Sequence, residues 1–470
     1  SSRQKKSSCL PDRPMQAQGQ AKTASLNYGW VVAAAGFFMH LCLGTMYCWG
    51  AFTPYITSYL RKYDPSLTYN DTIIVFMLIP LAQTIGMPIG GTMMKKYGPR
   101  VTALVGSWVM AFGVFVSAFT TTVFMTTLTY GMIYGIGMGM AYMCPIACGY
   151  KWLPNYKGLI SGIVVTGFGL GGAIFNIIGA AICNPDNKAG SPYYGDDVAD
   201  NVPKLYMTLG VIYAACTTVG ALLLRDPTAE ELKKIEGTAT QKDEEKQLLP
   251  QERPSVEVGP MDFLKDVRSY MLWVMMMFST ASGVLVVSTY KTFGSVHGFS
   301  DQFLTIVGSL CLVFNGVGRL FYGYLNDTIG FRKTMMICFM SQACIALMFV
   351  GSAMASFLYA FVVCAMILNY GANFPLYPTV TAEIFGKKNV ASNYGIVFSG
   401  FAAAGILLKL ALSAPSLSFN TVVFGTAVAS ACAGVGTFFL EGTSSSAPKK
   451  AAAPKKAAAP QKAPAVKKAA

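Results

Sequence analysis

The chain alternates long apolar runs with short polar turns. The runs lie near residues 29–52, 72–94, 101–118, 123–148, 158–182 and 204–224. After a charged gap, six more lie near 270–290, 302–325, 333–351, 355–377, 390–412 and 418–440. A helix of about 20 apolar residues spans the hydrocarbon core of a bilayer. The pattern therefore predicts an all-α membrane protein with twelve spans in two sets of six. The expected division is a tail at 1–26, a six-helix half at 27–225, a linker at 226–268, a second half at 269–441 and a tail at 442–470. The linker holds Glu230-Glu231-Leu232-Lys233-Lys234 and Lys242-Asp243-Glu244-Glu245-Lys246, which reads as polar, partly helical and mostly mobile. The first tail is polar and basic without an apolar core, so it is not read as a secretory signal; Met15 is a candidate start.

Composition strengthens the membrane reading. Of 470 residues, 53% are hydrophobic and 12% charged, with mean hydropathy +0.46, whereas soluble proteins carry about 25% charged residues. The 47 glycines suit close helix approach in a bilayer. The net charge of +14 raises nucleic acid as a partner, but the excess sits in tails and short loops, where topology accounts for it. With the N-terminus inside, the inner turns hold Lys95, Lys96, Arg100, Lys151, Lys157, Arg332, Lys333, Lys387 and Lys388. The outer loops hold mainly Asp64, Asp71, Asp186, Asp196, Asp197, Asp200 and Asp301, with Arg61, Lys62, Lys188 and Lys291 as the exceptions. Both termini and the linker are then expected on the cytoplasmic side, in a plasma or organelle membrane. The Lys-rich tail from Ala447 reads as solvated and low-complexity, with anionic lipid heads as its alternative partner. Most of the twelve cysteines fall in apolar runs, none has metal-ligand spacing, and there are two histidines. No metal or cofactor is expected, and no residues suggest covalent catalysis. Gly167, Gly169, Gly171 and Gly172 lie in an apolar span without a phosphate-binding Lys, so they read as helix packing.

One cation interrupts the apolar run 302–325. Placing Arg319 in hydrocarbon costs at least about 2.5–3.5 kcal/mol, so it is expected to face a cavity or a partner. Asn315 stands one turn earlier on the same helix face. A guanidinium offers a planar donor fork that matches a carboxylate. The alternative is an interfacial Arg reaching past Tyr324 and Asp327 to the inner surface. His40 in span 1 reads as a neutral packing histidine, with a proton relay as the alternative.

The two halves repeat one turn. Between spans 2 and 3 the chain reads Gly91-x-x-x-Lys95-Lys96-Tyr97-Gly98-Pro99-Arg100; between spans 8 and 9 it reads Gly323-x-x-x-Asp327-Thr328-Ile329-Gly330-Phe331-Arg332-Lys333. Both resemble the G-x-x-x-D-R/K-x-G-R/K loop of major facilitator transporters. That resemblance implies a fold of two pseudo-symmetric six-helix halves, with these turns latching the inner helix ends. Lys95 replaces the expected Asp in the first copy, which leaves Asp327 to do most of the latching.

Further stretches narrow the resemblance. Leu41-Cys-Leu-Gly-Thr-Met-Tyr47-Cys-Trp49-Gly, Gly139-Met-Ala-Tyr142-Met-Cys-Pro145, Lys151-Trp152-Leu-Pro154-x-x-Lys157-Gly158-Leu159 and Asn393-Tyr394-Gly395 are similar to the oxalate/formate antiporter family. Tyr28-Gly29-Trp30-Val-Val is close to the neighbouring monocarboxylate transporters. The resemblance implies that Arg319 contacts an anionic substrate and that several of Tyr47, Trp49, Tyr142, Tyr370 and Phe374 wall its cavity, with ordinary packing between helices as the alternative for each ring. Monocarboxylate carriers tend to have Asp where Asn315 stands, so a proton-accepting carboxylate is absent and exchange or facilitated diffusion is expected over proton symport. Oxalate carriers place a Lys where Phe401 stands, and Lys409, eight residues on, is a partial substitute or an interfacial anchor. The expected function is secondary active or facilitative transport of a small monocarboxylate. Proton-coupled symport, a non-transporting sensor of the same fold and a carrier of neutral solutes are the alternatives.

Overall fold

The structure is a computed structural model that describes residues 15–186, 188, 193–235, 257–299 and 301–440. The charged stretch 242–246 of the linker and the tail from 447 lie outside these residues, so the lipid-head expectation for that tail does too.

Among the described residues every regular element is helical. α1 (Met15–Leu43) starts ahead of the apolar run and continues through a tight turn, Gly44–Cys48, into the helix Trp49–Leu60. The next helical stretch, Tyr69–Val116, has 48 residues, which at 1.5 Å per residue is about 72 Å, over twice the thickness of a bilayer core. Gly98 breaks it, with φ 79° and ψ 172°, a backbone state that suits glycine. The stretch is thus two crossings, α2 (69–97) and α3 (99–116). α4 opens at Val123–Thr126, widens into a π-helical turn at Thr127–Ile133 and runs on as Tyr134–Trp152. α5 (Lys157–Cys183) and α6 (Val202–Leu222) complete the first half.

The second half contains α7 (Val267–Val296), α8 (Asp301–Ile329), α9 (Phe331–Gly351), α10 (Ser356–Phe385), α11 (Val390–Ser413) and α12 (Phe419–Gly436). Eleven described stretches are long and apolar enough to cross a membrane, and the break at Gly98 makes them twelve crossings. The chain is a multi-pass integral membrane protein.

α1, α4 and α10 bury most of their membrane-spanning residues, while α6, α8, α9, α11 and α12 bury less than half of theirs. Trp108, Phe112, Ile406, Leu410 and Phe424 are among the large apolar side chains on the outer surface, where acyl chains rather than water would surround them.

The halves meet where α5 crosses α8 and α2 crosses α11. A Cβ at Gly158 would lie 2.3 Å from the Gly323 carbonyl oxygen, and one at Gly323 would lie 2.3 Å from that of Gly158. Only glycine at both positions permits this approach.

Candidate functional site

Arg319 sits deep in the bundle with none of its surface exposed. Its Nε donates to Asn315 Oδ1 at 2.8 Å, which realises the same-face pairing expected from their spacing. Nη1 donates to the Val165 carbonyl of α5 at 2.9 Å, so the side chain reaches across the junction between the halves. Nη2 has a longer contact, 3.4 Å to the Tyr47 hydroxyl. The guanidinium carbon lies 4.4 Å from the Phe374 ring centre and 5.5 Å from that of Phe168, within cation–π range. Among the described residues no carboxylate pairs with it. The side chain turns inward to α5, so the interfacial alternative does not describe it.

Rings surround this cation from both halves. Phe168 packs edge-on against Tyr47 at 5.8 Å and against Tyr142 at 5.5 Å. Tyr142 faces Tyr394 and Phe398 of α11, each at 6.4 Å. Phe374 contacts Tyr370 at 5.4 Å, Phe401 at 5.7 Å and Phe398 at 6.4 Å. Six helices, α1, α4 and α5 with α8, α10 and α11, therefore contribute to one aromatic cluster packed around Arg319.

Of the residues singled out from sequence, Arg319, Asn315, Tyr47, Tyr142, Tyr370 and Phe374 come together here. Trp49 does not. Two residues after Tyr47, it points to a different side of the helix and packs on Tyr130 at 5.1 Å inside the first half. Lys409 is exposed near α2, its Nζ 3.9 Å from Met77 Sδ, and the structure does not bring it to Arg319. Phe401 packs against Phe374 and Phe398.

Sequence reasoning missed Phe168 and Phe398, and gave Tyr394 and His40 no place in the site. His40 had a readable signal, since it lies seven residues before Tyr47, about two helical turns. Both side chains pack on Phe168.

The repeated turns form matching structures. Gly98 and Gly330 both have positive φ, 79° and 81°. Arg100 Nε donates to the Leu224 carbonyl at 3.1 Å, and Arg332 Nη2 to that of Leu440 at 3.3 Å. Each Arg thus ties its turn to the chain just past the sixth helix of its own half. Across the halves, Gly323 meets Gly158, and Gly91 sits where a Cβ would lie 2.2 Å from Ser392 Oγ of α11. Asp327 accepts from the Gly158 and Leu159 amides at 2.8 and 2.6 Å, at the positive end of α5. Tyr150 and Ser161 hydrogen-bond to each other and both reach Thr379 of α10 at 3.2 Å.

Lys95 leaves no carboxylate in the first copy of the turn. Glu257, from the end of the linker, reaches the turn that leads into α11. Its carboxylate accepts from the Lys387 and Lys388 amides at 3.2 and 2.9 Å, with Lys95 within electrostatic reach. Val258 fixes the strap, donating to the Phe385 carbonyl and accepting from Asn389 and Asn393.

The model of the Major Facilitator Superfamily matches residues 32–408 and 271–468. The chain is 27% identical over 441 residues to apicoplast pyruvate carrier 1 of Toxoplasma gondii, covering 79% of this chain and 80% of that one. It is 25% identical over 416 residues to the oxalate:formate antiporter of Oxalobacter formigenes, with 88% and 91% covered. Against human monocarboxylate transporter 12 the identity is 22% over 391 residues, with 79% and 72% covered. Among solved structures, the proton:xylose symporter XylE aligns with a TM-score of 0.68 at 12% identity, covering 88% of this chain and 96% of that one.

Proposed function

The chain belongs to the Major Facilitator Superfamily, and from that premise we propose that it carries a small organic monocarboxylate by alternating access between its halves, with Arg319 as the carboxylate contact. The observation that carries this reading is the guanidinium itself: fully buried, ringed by aromatics and without an acidic partner among the described residues. A buried unpaired charge costs several kcal/mol. A substrate carboxylate would neutralise it on arrival and leave its apolar body against the rings. The similarity to a pyruvate carrier, an oxalate:formate antiporter and a monocarboxylate transporter supports the same substrate class.

One charge suits one carboxylate. Phe401 supplies a ring where a second cation would stand, and Lys409 is remote from Arg319, so a dianion would be only half neutralised. Asn315 is an amide that does not take up a proton, so the Arg319 pair supports exchange or facilitated diffusion over proton symport. With the N-terminus cytoplasmic, the Asp327 and Glu257 latches close the inner end, and access from outside follows their engagement. The turns Gly91, Gly98, Arg100, Gly323, Asp327, Gly330 and Arg332 then serve gating rather than binding.

The test is uptake of labelled pyruvate, lactate, formate and oxalate into vesicles containing the purified full chain, with and without a pH gradient and internal acid. A monocarboxylate should enter faster than oxalate, with internal acid and not the pH gradient accelerating it. Uptake driven by the pH gradient would favour the proton-coupled alternative, and no movement of any acid would refute the proposal.

A further inference from the structure

We propose that His40, with the Tyr142 and Tyr394 hydroxyls, forms a second polar subsite that reads an oxygen on the carbon next to the substrate's carboxylate. The inference rests on the carboxylate reading above and goes further, from the charged end of the substrate to its body.

His40 is completely buried in α1. Its Nδ1 lies 3.0 Å from the Gly36 carbonyl, which can only accept, so the hydrogen is on Nδ1. In a neutral ring this leaves Nε2 as an acceptor, and Nε2 has no hydrogen-bond partner. The imidazole packs on Tyr142 at 4.9 Å and on Phe168 at 6.1 Å, the same Phe168 that flanks Arg319.

Tyr142 and Tyr394 are equally enclosed. Their rings face each other across the junction of the halves, and neither hydroxyl has a hydrogen-bond partner outside this pair. An unpaired ring nitrogen and two phenols from α1, α4 and α11 thus gather beside the cation. Unpaired buried groups of this kind are unfavourable, and native interiors seldom keep them without a bridging molecule.

Their chemistry defines the complement. Nε2 accepts, while the phenols can both donate and accept. A hydroxyl on the substrate satisfies Nε2 and a phenol together; a keto oxygen satisfies the phenols. A methylene satisfies none. With the carboxylate on Arg319, the adjacent carbon is the part of the substrate that would face this group, because Phe168 contacts both sides. The subsite therefore selects 2-hydroxy and 2-oxo acids over unsubstituted acids of the same length.

Binding of L-lactate, pyruvate and propionate to the purified full chain, read from ligand-induced shifts in melting temperature across a titration, tests this. The wild type should bind the two oxygenated acids about tenfold more tightly than propionate, roughly the effect of one well-placed hydrogen bond. His40→Phe, which keeps a ring but no nitrogen, should leave the pyruvate ratio, which the phenols supply, and reduce the lactate ratio to about threefold or less. His40→Gln, which restores an acceptor, should recover much of it. Should His40→Phe fail to fold, Tyr142→Phe makes the decision with the same expected loss of ratio. Propionate binding with an unchanged lactate advantage in these variants, or no such advantage in the wild type, would overturn the subsite alone. If propionate too failed to bind the wild type, the carboxylate reading would fall and the subsite with it.

Discussion

Two residues one turn apart, Asn315 and Arg319, were readable from the sequence because helical spacing alone places them on one face. Their surroundings were not. Phe168, Phe398 and Phe401 reach Arg319 or Phe374 only through the crossings of α5, α10 and α11, which no periodicity reports. Trp49 illustrates the converse. A motif neighbour of Tyr47, it faces another side and joins the Tyr130 cluster. At this scale Phe401 is the informative residue, because the resemblance to oxalate carriers implies a Lys at its position. Phe401→Lys should raise oxalate affinity by at least about tenfold, the size of one favourable charge contact in a partly buried site, and weaken monocarboxylate binding. Competition of unlabelled oxalate against a labelled monocarboxylate measures the exchange of preference. An oxalate affinity unmoved by the new charge would show that Phe401 does not face the substrate.

At the scale of elements, Asp327 of the repeated turn hydrogen-bonds across the halves, whereas Glu257 of the linker binds the turn before α11 and reaches Lys95 of the other half only electrostatically. The role of Glu257 was invisible in the sequence because it carries no motif and lies 162 positions from Lys95. Glu257→Gln should loosen the junction between α2 and α11 while leaving the one between α5 and α8. Hydrogen exchange measures both. Amides 387–393 should exchange about fivefold faster, as expected for loss of about 1 kcal/mol, with a parallel rise at 88–96 in the opposite half. A rise confined to residues 387 and 388 would reduce Glu257 to a local cap. Gly158→Leu tests the other junction. Its side chain has no room beside the Gly323 carbonyl, so transport should be abolished if the halves must close there. Normal flux in a folded Gly158→Leu protein would show that they need not.

For the whole molecule, twelve crossings in two sixes were legible because lipid demands long apolar helices and permits little else. The overrun of α1 to Met15 and the continuous count of residues across Gly98 were not, since hydropathy marks membrane depth rather than helix ends. The linker is fastened to both halves. At its start, Arg225 stacks on Tyr28 and Trp152 and forks onto Glu231 at 2.8 and 2.9 Å. That fork holds the Glu231 carboxyl down at about 2. A carboxyl lowered on folding stabilises the fold above its unfolded value, about 4.3, and loses that contribution as pH falls toward 2. The melting-temperature difference between wild type and Glu231→Gln should thus be largest above about pH 5 and close progressively in acid. A difference independent of pH would assign Glu231 a packing role only.

The central claim is that a substrate carboxylate completes the charge of Arg319. Uptake by vesicles containing Arg319→Ala, compared with wild type at equal protein and verified folding, tests it most directly. The account predicts loss of carboxylate transport by at least about 30-fold, the low end for truncating one partner of a buried charge pair. Arg319→Lys should be intermediate, because it keeps the charge without the fork. Carboxylate uptake by Arg319→Ala at the wild-type rate would contradict the account.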